Sequence, residues 1–297
     1  MNDRERAKRF AAERERRLRE GIRLTADTGK EVRAQLVKAQ KDIAEILSGA
    51  PTDYRRWQLV QLQQSVARAL AELEAGANAA LQSGLSSTWT AGVAVIDGPL
   101  ASAAVDISAD LFAIDNRRLL AMRRFTTDRI KDVTVKLANS INSELAQAAI
   151  GTQTPFEAAQ KIAGKLQTGG LDRAATITRH QLGTAFSTAA QERQEQAAAI
   201  LPGLRKQWRR SGKTHSRIEH DLIDGQVREV DKPFDLPDGT KLMHPRDPAG
   251  PAKHTINCGC SSIPFMESWD VMRPGRQDFT PEEIAANRQK RMIANAL

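Results

Sequence analysis

Proline placement divides this chain before any other feature does. Nine of its twelve prolines lie from Pro202 to Pro281, and six of those fall between Pro233 and Pro264. Proline fixes φ and lacks an amide donor, which excludes it from the interior of long helices and from central strands. The text after Leu201 is therefore confined to short strands, short helices and ordered loops. The preceding 200 residues hold prolines only at 51, 99 and 155 and are rich in Ala, Leu, Glu, Gln, Lys and Arg, the strong helix formers. The fold expected is a mainly α N-terminal region over 1–200 that serves as a helical scaffold. A small α+β, proline-rich domain with short antiparallel strands follows over 201–266, then a tail with a helix over 267–297.

Within the first region, residues 4–20 and 25–47 read as helices, the second stopped by Gly49-Ala50-Pro51. Thr52 and Asp53 offer N-caps for a helix to about Leu81. Its Leu59, Val60, Leu62, Val66, Leu70 and Leu73 recur mostly at spacings of three and four. Residues 85–107, with Gly92, Gly98 and Pro99, are ambiguous. Helices are expected again over 108–125 and 127–150. Thr154-Pro155-Phe156-Glu157 is a capping box with proline at the first helical position. Gly169-Gly170 should end that helix, and one more should run from 171 to 200. Strands are expected at 204–210, 226–231 and 257–264, and a second capping box at Thr280-Pro281-Glu282-Glu283 restarts helix.

Composition narrows the classes further. Lys and Arg number 44 against 36 Asp and Glu, a net charge of +8, with 40% apolar residues, enough for a sizeable core. No apolar run approaches the ~18 residues of a membrane span, and the opening MNDRERAKRF lacks the apolar stretch of a signal peptide. Two cysteines cannot build a disulfide framework. A soluble product made in the host cytoplasm is expected, with no membrane partner. From Met1 to Arg33, 11 basic residues interleave with 7 acidic ones. That pattern suits a solvated helix laced with i,i+4 pairs, and it can also track a phosphate backbone. Removal of residues 1–24 is expected to leave the fold intact.

Four of the five histidines (His215, His220, His244 and His254) and both cysteines lie between 215 and 260. Cys258 and Cys260 flank Gly259, and on an extended strand both thiols would face one side. Their Cα atoms would then be about 6.6 to 6.8 Å apart, the outer edge of disulfide geometry. Two thiols with nearby imidazoles suit a tetrahedral structural zinc ion. His220 is the better third ligand, since a helix over 214–222 would turn His215 away by about 140°. C-x-C is less diagnostic than C-x2-C, and two small buried thiols beside surface imidazoles is the other reading. A Cys/His nucleophile pair lacks a local activating helix start or oxyanion loop, and a histidine metal nuclease lacks a second histidine at fixed spacing. G-x-S-x-G and G-x-G-x-x-G are absent. Ser211-Gly212-Lys213-Thr214 has no upstream glycine to make a phosphate loop. No catalytic residue and no enzymatic activity is expected.

From Trp208 onward an ordered series of blocks appears: Trp208, Arg217-x-x-His220, Asp224-Gly225-Gln226, Pro233-Phe234, Pro245-Arg246-Asp247-Pro248 and Asn257-Cys258-Gly259-Cys260. In order and spacing this series resembles the C-terminal module of the phage head morphogenesis family, similar to Mu protein F and the SPP1 minor head protein. The likeness covers about 60 residues; where relatives commonly read Arg-Thr-Glu, this chain has Arg179-His180-Gln181. It implies a minor component of the virion, in the inner head or portal region. Its partners would be the portal protein and the major capsid protein, with packaged DNA met through the basic N-terminal helix. Such a component assists head assembly and DNA packaging or delivery. Two further classes stand beside it: a metal-dependent nuclease or toxin-like enzyme, and a non-specific DNA-binding accessory protein.

Overall fold

The computed structural model describes residues 1–49, 59–105, 116–266 and 275–295. Long helices dominate, followed by short antiparallel strands, as the proline distribution requires. The helices are α1 (Asp3–Ser48), α2 (Leu59–Ser102), α3 (Arg117–Ile150), α4 (Pro155–Lys165) and α5 (Arg173–Ile200). The C-terminal elements are β1 (Leu204–Arg209), α6 (Ile218–Leu222), β2 (Val227–Glu229), β3 (Phe234–Asp235), β4 (Lys241–Leu242), α7 (Ala252–Thr255) and β5 (Ser261–Met266). The helices α8 (Pro281–Ala286) and α9 (Arg288–Asn295) complete them. The predicted caps Thr52 and Asp53, the helix over 108–115 and the tail segment 267–274 lie outside the described residues. Among the described residues no helix is long and apolar enough to cross a membrane.

The chain forms two compact units. One comprises Thr25–Leu85 and Arg117–Gln181. Its core is built from Leu36 and Ile43 of α1, Leu70 and Leu81 of α2, Leu137 and Leu145 of α3, and Ile162 of α4. Thr154 caps α4 as expected, accepting from the Glu157 amide while the Glu157 carboxylate accepts from the Thr154 amide. The helix does not end at Gly169-Gly170. It passes through a π-helical turn, Leu166–Asp172, into α5. Gly170 is buried there, where a Cβ would lie 3.2 Å from Leu137 Cδ1, so the small residue serves packing. The expected interruption at 126 is also missing: α3 runs through Thr126, whose hydroxyl donates to the Met122 carbonyl at 2.7 Å.

The other unit comprises Met1–Leu24, Ser86–Asn116 and Leu182–Leu297. Here α1 runs unbroken where two helices were expected, and α2 carries helix through the ambiguous stretch to Ser102. Two glycines, Gly92 of the ambiguous stretch among them, are places of close helix approach. A Cβ on Gly21 would lie 2.6 Å from the Phe186 ring, and one on Gly92 only 2.4 Å from the Phe186 carbonyl oxygen. Phe10 is fully buried and joins Val95, Leu100, Phe186 and Ala190 in one apolar cluster. Residues 1–24 are thus core, contrary to the expectation that they can be removed. α1 carries the expected pairs, Arg9–Glu5 at 2.8 Å and Arg19–Glu15 at 3.0 Å on its exposed face and Arg17–Glu13 at 2.8 Å against Gly98 of α2.

The strands of this unit form a three-stranded antiparallel sheet, β2-β1-β5, and a hairpin, β3-β4. β1 pairs with β5 along its whole length, from Leu204↔Met266 to Arg209↔Ser261. β2 is shorter than its predicted span of 226–231, and β5 begins after Cys260 rather than at 257. A cluster of Trp208, Ile223, Phe234, Leu236, Leu242, Cys258 and Cys260 fills the space beside the sheet.

Candidate metal centre

Four local structures converge on His220. It sits on α6, whose first turn is held when the His220 amide donates to the Arg217 carbonyl at 3.1 Å. The Arg217 guanidinium donates to the Ile256 carbonyl at 2.6 Å, fastening the start of α6 to the chain just before the cysteines. Asn257 then takes φ of 57°, a left-handed conformation that asparagine tolerates better than most residues. That turn delivers Cys258 and Cys260 from the connection between α7 and β5. The two thiols were expected on an extended strand. They converge from irregular backbone, yet still meet one ring nitrogen.

His220 Nδ1 lies 3.5 Å from Cys258 Sγ and 3.6 Å from Cys260 Sγ. The three donor atoms all lie within 4.8 Å of one another and all three residues are buried. A tetrahedral zinc ion with Zn–S of ~2.3 Å and Zn–N of ~2.0–2.1 Å would set N and S about 3.6 Å apart. The donors therefore stand at ligand spacing, and the same distances allow thiol hydrogen bonds that hold the group together without a metal. The two thiols are pushed apart in acidity. A hydrogen bond from Cys260 holds Cys258 well below the usual thiol range, against the effect of burial. The same bond, with burial acting in the same sense, pushes Cys260 well above it.

The walls of the centre fix it in position. The Trp208 indole meets the His220 ring edge-on, with centroids 5.2 Å apart and planes at 82°, and meets Phe234 likewise at 5.3 Å. Arg246 donates from Nε to the Cys258 carbonyl at 2.7 Å, and from Nη1 to the Gly183 carbonyl and the Ser187 hydroxyl of α5. Its own φ is 63°. On the far side of the ring, His220 Nε2 is 3.2 Å from His254 Nδ1. His254 Nε2 is in turn 2.8 Å from Asp238 Oδ2, at the tip of the β3-β4 hairpin.

Other residues of the ordered blocks hold backbone rather than the centre. Asp224 accepts from the Arg210 amide at 2.8 Å and the Gln277 amide at 2.6 Å. Gly225 follows at φ of 83°. Asp247 accepts from the Met243 and Ala249 amides and shapes the loop before α7. His215 is exposed and stands outside the group. His244 is buried, with Nδ1 3.0 Å from the Pro245 carbonyl, and burial lowers its pKa. His254 and Asp238 were not singled out as site residues in the sequence, where Asp238 reads only as a turn former. They reach His220 from 34 and 18 positions away, a distance that local spacing does not encode. Arg246 lay inside a quoted block but had no chemistry of its own to mark it.

A protein of Bacillus subtilis (strain 168), the uncharacterized protein YqbB, is 32% identical over 120 residues. The likeness covers 39% of this chain and 38% of that relative's length. No family model matches the chain, and no solved structure matches it.

Proposed function

We propose that this chain is a minor head protein of a tailed phage or prophage. It binds the portal or the inner capsid within the virion and assists head assembly and DNA packaging or delivery without catalysing a reaction. The observation that carries the proposal is the ordered series from Trp208 to Cys260 that resembles the phage head morphogenesis family. Residues of that series are the ones that pack into one buried nucleus, Trp208 against His220 and His220 against both thiols. A helical scaffold with a compact, loop-rich C-terminal part suits docking, since loops on a fixed frame present contact surfaces.

Within this function His220, Cys258 and Cys260 hold a structural zinc ion. The donor separations and the burial of all three residues support it, with the fourth tetrahedral position left to a group other than these three. Contact with packaged DNA through α1 is the weaker part of the proposal. Its arginines pair with carboxylates on the same helix, so binding there should be slight and strongly salt-dependent.

The test is a pull-down of the tagged full chain against purified portal and major capsid proteins. Portal retained in a fixed ratio below that of the capsid protein is the expected result. No retention by either partner would overturn the proposal. Cleavage of plasmid DNA with added divalent metal, abolished by His220→Ala, would replace it with the nuclease.

A further inference from the structure

We propose that Asp238 and His254 form a two-ring proton relay that fixes His220 in the tautomer able to ligate metal, making both of them positioning residues of the zinc centre. This rests on the zinc reading above and extends it to residues that are not ligands. Three contacts lie in series: Asp238 Oδ2 to His254 Nε2 at 2.8 Å, His254 Nδ1 to His220 Nε2 at 3.2 Å, and His220 Nδ1 to the two sulfurs at 3.5 and 3.6 Å.

An ionised carboxylate only accepts, and a neutral imidazole has one donor and one acceptor nitrogen. Asp238 is kept ionised by the hydrogen bond from Lys253 at 2.7 Å, then by His254 and the Thr240 amide, which together hold its carboxyl far below the usual range. The hydrogen between Asp238 and His254 is therefore on His254 Nε2. For neutral rings, His254 Nδ1 is then an acceptor and must receive its hydrogen from His220 Nε2. That leaves the lone pair of His220 on Nδ1, the nitrogen facing both thiols. No other assignment of two neutral rings satisfies both the Asp238–His254 and the His254–His220 contacts. The opposite tautomer of His220 would point an N–H at the metal position and set two lone pairs against each other at 3.2 Å.

The rest of the fold protects this chain of contacts. The two rings stack at 5.3 Å with planes 27° apart, and both residues are almost wholly buried. Asp238 is held at the hairpin tip by its own Oδ1, which accepts from the Thr240 amide at 3.0 Å. Partners behind a ligating histidine characteristically govern metal affinity by about 10- to 100-fold.

The test compares zinc affinity, by competition with a chromogenic chelator, in the full-length wild type and in the variants His254→Phe, His254→Gln and Asp238→Asn. Phe keeps a stacked ring but cannot accept from His220. Gln can accept from His220 and donate to Asp238 through one amide group. The relay predicts a loss of about 10- to 100-fold for His254→Phe, a smaller loss for Asp238→Asn, and partial recovery in His254→Gln. The melting temperatures of the chelated proteins, measured alongside, separate this from simple loosening, which would lower them all and leave relative zinc affinity in place. Wild type that binds zinc while His254→Phe and Asp238→Asn bind it equally tightly would overturn the relay alone. Wild type that holds no zinc would overturn the metal reading and the relay with it.

Discussion

Arg210 and Glu283 meet at 2.6 Å with side chains only 2% and 3% exposed, joining the end of β1 to α8. Lys290 of α9, whose side chain is fully buried, donates to the same Glu283 oxygen at 2.6 Å. One carboxylate on α8 therefore pairs with two buried cations, one following β1 and one on α9. The same residue is the capping-box glutamate of α8, accepting from the Thr280 amide. Replacing it by glutamine keeps the cap within reach but leaves Arg210 and Lys290 only the longer contacts to Asp224 at 3.9 Å and Asp221 at 3.5 Å. Loss of one member of a buried pair costs about 3–5 kcal/mol. Glu283→Gln should lose about that much in chemical denaturation at neutral pH.

Acid should erase the difference between that variant and the wild type. Burial works against the charge of Glu283, but hydrogen bonds from Arg210 and Lys290 outweigh it and hold the carboxyl down at about 2, below its ordinary value of 4.5. A depressed carboxylate contributes stability that is fully present above the unfolded value and lost as pH falls through the folded one. Asp221, near the same lysine, acts in the opposite sense because burial raises it. Comparison with Glu283→Gln removes the Asp221 effect from the difference. The stability gap between the two proteins, followed by denaturant titration, should shrink from about pH 4.5 toward about pH 2.

Gly225 and Gly239 separate two costs that are usually confounded. Both have positive φ, 83° and 82°, but a Cβ on Gly225 would lie 2.3 Å from the Gly275 carbonyl carbon, whereas one on Gly239 meets nothing within 4 Å. Gly239→Ala should cost only the left-handed backbone term, about 1–2 kcal/mol. Gly225→Ala should cost clearly more, because backbone rather than a pliable side chain must move. Equal losses in thermal melts would show that the Gly275 segment yields freely.

Phe10 tests whether the first helical turns belong to the core. Its ring is fully buried among Val95, Leu100 and Phe186. Phe10→Ala should destabilise by about 3–5 kcal/mol, and removal of residues 1–24 should lower the melting temperature further. A truncated protein that melts like the full chain would place that core elsewhere.

What the sequence made legible was local, and what it hid was contact at a distance. The capping boxes Thr154/Glu157 and Thr280/Glu283 and the stop at Gly49 need only neighbouring residues, and they stand where the text puts them. Gly92 left its stretch ambiguous because a glycine that ends a helix and one that admits Phe186 against a helix look alike in one dimension. The Cys258–Gly259–Cys260 spacing, with His220 on a short helix, was enough to name the three donors. It could not name His254 and Asp238, since their link to His220 is made by the hairpin tip and α7 folding together. Arg246 escaped for the same reason: its partners Gly183 and Ser187 lie some 60 residues earlier in the chain.

The proposed metal centre of His220, Cys258 and Cys260 is the part around which the C-terminal fold would be built. Elemental analysis of the full-length chain, purified without added metal or a metal-affinity tag, tests it most directly, with Cys258→Ser/Cys260→Ser measured alongside. The account predicts zinc bound in equal proportion to the chain, absent from the double variant, and a lower melting temperature for that variant. A wild-type protein that takes up no zinc and melts at the same temperature as the double variant would contradict it.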